Sequence, residues 1–70
     1  MFYWFERGSE YARYEARKLP SGAYELTIYG PDGTQHIEHF ETSGALSARE
    51  RAFQKELESQ GWTGPHGWNL

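Results

Sequence analysis

Apolar and polar residues alternate with a period of two through much of the first half of the chain. From Ala23 to Tyr29, Tyr24, Leu26 and Ile28 alternate with Glu25, Thr27 and Tyr29, which predicts a strand with one buried face. Glu10 to Lys18 repeats the pattern: Ala12, Tyr14 and Ala16 fall on one side, Tyr11, Arg13, Glu15 and Arg17 on the other. Ahead of it, Phe2-Tyr3-Trp4-Phe5-Glu6-Arg7 is aromatic at consecutive positions, as in a strand covered on both faces or paired at an interface. Thr34 to Glu41 predicts a fourth strand in which Ile37 and Phe40 cannot share a face. Either a bulge intervenes or Phe40 belongs to the exit toward a helix. The second is favoured, because a large apolar group there can pack under the first helical turn.

Turn chemistry separates these segments. Gly8-Ser9 and Leu19-Pro20-Ser21-Gly22 break the pattern, and Gly30-Pro31-Asp32-Gly33 joins the third and fourth strands. Pro31 presets φ for a type I turn, Asp32 accepts local backbone hydrogen bonds, and Gly33 can adopt the left-handed conformation that closes a bulged hairpin. The period then changes. Thr42-Ser43-Gly44 carries candidate N-caps and Ser47-Ala48-Arg49-Glu50 matches a capping box, so a helix starts at one of two places, with Ser43 and Ser47 as competing caps. Ala45, Leu46, Ala48, Ala52, Phe53 and Leu57 gather on one stripe, and Gly61 stands where a left-handed residue would end the helix. Leu57 and Trp62 then occupy the two positions that a Schellman motif brings into contact.

These elements predict an α+β fold: a four-stranded antiparallel meander with one C-terminal helix packed on one face, strand order following chain order. Residues 1–62 form a single small domain, and 63–70 read as a Gly/Pro-containing tail of loop composition, open to disorder. The helix is expected to cover Ala12, Tyr14, Ala16, Tyr24, Leu26 and Ile28. It leaves Tyr11, Arg13, Arg17, Glu25, Thr27 and Tyr29 on the opposite face.

A chain of 70 residues leaves no room for a second core. Cores below about 70–80 residues rarely supply more than ~3–5 kcal/mol. With no cysteine, neither a disulfide nor thiolate-bound zinc can reinforce this one, so packing must hold it, alone or helped by self-association. The aromatic fraction of 17% exceeds what one sheet-on-helix core easily encloses, which predicts rings on an outer face or subunit contact. No apolar run approaches the ~20 residues of a membrane span. Phe2 to Phe5 lacks the basic flank and cleavage site of a signal peptide, so cytoplasmic residence is expected.

Catalytic chemistry finds little support. On a strand His36 shares a side with Glu38 while His39 points away, so the three do not form a preset metal site, and His66 lies in the tail. Ser9, Ser21, Ser43, Ser47 and Ser59 fall at turns, caps or helix surface, outside any nucleophile-elbow context. Glu56 and Glu58 do not face one another on a helix. The Gly61 to Gly67 segment lacks the lysine and following helix of a phosphate cradle. No enzyme, metal or cofactor is expected.

Two surfaces remain. Tyr29-Gly30-Pro31-Asp32-Gly33-Thr34, Ile37-Glu38-His39-Phe40 and Gln60-Gly61-Trp62-Thr63-Gly64-Pro65 resemble a group of short bacterial proteins with no assigned activity, a likeness of turn and cap elements that carries over no catalytic residue. The strand-strand-strand-strand-helix order is also similar to the repeat unit of Whirly and Pur-type single-stranded nucleic-acid binders. That likeness is one of architecture, and it implies a dimer, since only one such unit is present. A non-enzymatic interaction module is therefore expected, binding a protein partner or itself as a homodimer through Phe2, Tyr3, Trp4 and Phe5. The alternative is single-stranded nucleic-acid binding through Tyr11, Arg13, Arg17 and Tyr29, which supply stacking rings and guanidinium groups. The net charge of −3 opposes the alternative.

Overall fold

Each predicted turn closes a hairpin in the computed structural model, which describes residues 2–68. Gly8, at φ 61, leads a two-residue turn between β1 (Phe2–Arg7) and β2 (Glu10–Lys18). The next two hairpins are built alike. Leu19 N–H donates to Ala23 O and Gly22 N–H to Leu19 O at 2.8 and 2.9 Å before β3 (Tyr24–Tyr29). Gly30 N–H donates to Thr34 O and Gly33 N–H to Gly30 O at 2.9 and 3.2 Å before β4 (Gln35–Phe40). Both use Pro, then Ser or Asp, then a positive-φ glycine. At Gly33, φ 84, an added Cβ would meet nothing within 4 Å. Gly33→Val is therefore expected to cost about 1–3 kcal/mol through backbone strain alone, read as a lowered urea midpoint with unchanged slope. A midpoint equal to that of the parent would mean the turn changes type to accept valine.

The helix α1 (Ser43–Ser59) is capped by Thr42, whose hydroxyl accepts from Ala45 N–H at 3.1 Å, so neither Ser43 nor Ser47 is the cap. Its far end is the expected Schellman motif. Trp62 N–H reaches Leu57 O at 3.0 Å, Gly61 N–H reaches Glu58 O at 3.1 Å, and Gly61 has φ 88. Leu57 and Trp62 both join the core with Phe5, Ala12, Tyr14, Leu26, Leu46 and Phe53. The helix stripe is narrower than the sequence pattern predicts. Ala45, Ala48 and Ala52 are exposed, and half-buried Arg49 and Glu50 fill the turn between Leu46 and Phe53. Alanine loses little by remaining in water, so its position on a helical wheel constrains burial weakly.

The four-strand expectation needs one correction. Thr63–Trp68, expected as a tail, forms β5, and the sheet has the order β4-β3-β2-β1-β5. Residues 69–70 lie outside the described residues. Proline and glycine argue against a central strand, but β5 is an edge strand, where both are tolerated. Its glycines also have a packing role. A Cβ at Gly64 would sit 2.8 Å from Phe5 Cδ1, and one at Gly67 3.0 Å from Tyr3 Cε1, so the β5 backbone lies directly against those rings. Between Trp4 and Glu6 the β1–β5 register slips, and β5 bulges.

The register resolves the fourth strand as well. β4 is unbroken, with Ile37 opposite Thr27 and Phe40 opposite Tyr24. Phe40 thus stands within the strand, packed against the core from the helix side, rather than in an exit segment. Inside the core, the Phe53 ring meets Phe5 and Tyr14 edge-on at 6.0 and 5.8 Å. Tyr14 keeps its hydroxyl satisfied through Gln54 Nε2 at 3.1 Å, and burial pushes its pKa up to about 12.

Candidate functional site

Because α1 covers one face only, strand alternation sorts the side chains of the sheet into core and open sets. Trp4, Arg13 and Tyr29 are successive cross-strand partners on β1, β2 and β3, with Gln35 next on β4. They form a row of planar groups across the open face. The Arg13 guanidinium lies 4.0 Å from the centre of the Tyr29 ring. At the β5 end, the Trp4 and His66 rings lie 5.3 Å apart at 31°. Trp4 Nε1 also makes a long hydrogen bond to Glu6 Oε1, at 3.4 Å, along the same strand.

A second row runs Glu15, Thr27, Ile37, and a third Arg17, Glu25, His39. Thr27 is buried at the centre of the face although no helix covers it. Glu25 joins its two neighbours, with Arg17 Nη2 at 2.9 Å and His39 Nε2 at 3.1 Å. Hydrogen bonding from His39, followed by the charge of Arg17, holds the Glu25 carboxyl below its ordinary range. Arg13 has a carboxylate near it too, Glu15 at 4.0 Å. Tyr11 stands across from Glu6.

All four residues expected to form a nucleic-acid platform, Tyr11, Arg13, Arg17 and Tyr29, therefore lie on this face, but only Arg13 and Tyr29 stack. Glu6, Glu15 and Glu25 share the surface with the two arginines, so it is not a positive patch. The aromatic first strand is placed differently from its expected use. β1 is an interior strand, hydrogen-bonded to β2 on one side and β5 on the other, so it presents no free edge to a partner. Phe5 is fully buried, Tyr3 packs on the helix side at 5.1 Å from Tyr14, and Trp4 alone of these described side chains faces the open side. The side chain of Phe2 lies outside the described set. Among the described residues the free edges belong to β4 and β5. Of this row, Trp4 was expected at a self-association strand rather than beside Arg13 and Tyr29, and His66 was expected in a tail with no binding role. Only the β1–β5 pairing brings them together.

On the other side of β4, Arg49 Nε donates to both oxygens of Glu38 at 3.0 and 3.2 Å, and His36 Nε2 lies 3.0 Å from Glu38 Oε2. Arg49, with a smaller contribution from His36, holds Glu38 below the ordinary carboxylate range. Among the described residues no group of three or more His, Asp or Glu side chains converges to hold a metal ion. No described helix is long and apolar enough to cross a membrane. No family model matches the chain, and neither a curated protein nor a solved structure matches it.

Proposed function

We propose that the protein is a small, cytoplasmic, non-enzymatic interaction module that binds protein, itself included, through sheet surface the helix leaves uncovered. One observation carries the reading. The row Trp4, Arg13, Tyr29 crosses the open face, and the two large hydrophobic residues most exposed among those described, Tyr11 at 60% and Ile37 at 48%, lie on that same face. Trp, Tyr and Arg are the residue types that dominate binding hot spots, and here they are held by cross-strand contacts before any partner arrives.

A second reading, single-stranded nucleic-acid binding, draws support from the stacked Arg13–Tyr29 pair and the Trp4 ring, since bases stack on such groups. The carboxylates interleaved with the arginines and the net charge of −3 favour the first reading. Sedimentation at low and high salt, with and without an oligonucleotide, separates the two. Apolar association is expected to persist at high salt, with no oligonucleotide bound at either salt. Oligonucleotide binding that falls steeply with salt would overturn the first reading in favour of the second. The best probe is Arg13→Gln with Arg17→Gln, expected to leave the thermal midpoint nearly unchanged while abolishing any oligonucleotide binding. Glutamate would be a poorer choice, because at position 17 it would face Glu25 directly.

A further inference from the structure

The two free edges of the sheet are not equivalent. β5 carries Pro65, two glycines and a bulge, all features that discourage further strand pairing. β4 reads Gln-His-Ile-Glu-His-Phe, has no proline, glycine or lysine, and pairs with β3 in an unbroken register. Its backbone is also correctly presented. Gly30 N–H bonds to Thr34 O, so Gly30 and Thr34 form a hydrogen-bonded pair. Alternation along the ladder then turns His36 and Glu38 toward β3, and the N–H and C=O groups of Gln35, Ile37 and His39 toward the free edge.

We infer that β4 pairs antiparallel with β4 of a second copy, about a two-fold axis at Ile37. This rests on the interaction-module reading and narrows it to one edge and one partner. The side chains select the register. With Ile37 opposite itself, His36 of each copy faces Glu38 of the other, Gln35 faces His39, and Ile37 packs on its own image beside buried Thr27. Moving the axis to Glu38 would set two carboxylates against each other, and moving it to His36 would oppose two imidazoles. An axis between residues would match outward-facing backbone groups with inward-facing ones and form no ladder. Only the Ile37 axis is complementary in charge, hydrogen bonding and apolar contact together. The acceptor is held ready, since Arg49 fixes the Glu38 carboxylate with bonds of 3.0 and 3.2 Å. Equivalent positions on the two copies share a face, so both helices lie on one side, and the two open faces join into one surface.

Because the chain has no cysteine, single introduced thiols report the register directly. Ile37→Cys places like residues opposite each other at about 5.5 Å between Cα atoms, within disulfide reach. Gln35→Cys places them about 13 Å apart. Under mild oxidation the first variant is expected to form a linked dimer at least tenfold faster than the second. In sedimentation equilibrium of the cysteine-free protein, His36→Glu should weaken dimerisation about tenfold or more, and adding Glu38→His should recover part of the loss, because the exchange also removes the Arg49–Glu38 pair. Circular dichroism of each variant checks that the fold is kept. A monomer up to millimolar concentration, or equal linking at positions 35 and 37, overturns the inference. A dimer that is indifferent to His36→Glu and links no faster at 37 would overturn this edge, yet leave the interaction-module reading standing through the open face.

Discussion

Phe5→Ala is expected to abolish the cooperative thermal transition. The ring is fully buried, meets Phe53 edge-on at 6.0 Å and Tyr14 at 6.2 Å, and has the Gly64 backbone against it. Its removal opens a cavity bordered by two sheet strands, the helix and β5, and such truncations cost about 3–5 kcal/mol. A core of this size supplies no more than that. A broad, non-cooperative melt by circular dichroism is the expected result, with Phe5→Leu recovering most of the transition because it keeps much of the volume. A sharp melt within a few degrees of the parent would show that the core closes without this ring.

Trp62→Ala should have the next largest effect, about 2–4 kcal/mol. The indole is only 6% exposed and belongs to the core, while its position depends on the left-handed Gly61 and the Trp62 N–H bond to Leu57 O. Arg7 covers it with a guanidinium 4.6 Å from the ring centre. Since that cover is a surface side chain, water can reach part of the vacated space, which places the cost below that of a sealed cavity. Urea unfolding should show the loss as a lower midpoint. A midpoint shift worth under about 1 kcal/mol would mean the helix end holds without its hydrophobic contact.

The reach of the sequence follows from which features are local. The Gly33 turn, the Schellman end at Gly61-Trp62 and the alternation in β2 and β3 each involve residues within a few positions of one another, and each is present as the pattern predicts. The helix start was legible only as two alternatives, the Thr42-Ser43-Gly44 cluster and the Ser47 capping box, and choosing Thr42 requires the geometry of its hydroxyl toward Ala45 N–H. β5 was not legible. Thr63-Gly64-Pro65-His66-Gly67-Trp68 has the composition of a loop, and the advantage of Gly64 and Gly67 exists only once Phe5 and Tyr3 lie beneath them. The placement of the candidate surface divides in the same way. Alternation puts Tyr11, Arg13, Arg17 and Tyr29 on one face, while the enclosure of β1 and the Trp4–His66 contact depend on a pairing between distant parts of the chain.

That pairing also imposes an order of events. β1 to β4 can form through successive hairpins between neighbours in sequence, whereas β1 and β5 are separated by the entire meander and the helix. The entropy of closing so long a loop grows only logarithmically, so the thermodynamic penalty over a hairpin is small, but the closure comes late. During synthesis β1 emerges well before β5 and must wait for it with one backbone edge unpaired and Tyr3 and Trp4 along it. The interval before Thr63 to Trp68 arrives is when this chain is most open to capture by another strand. Truncation ahead of Thr63 would make that interval permanent.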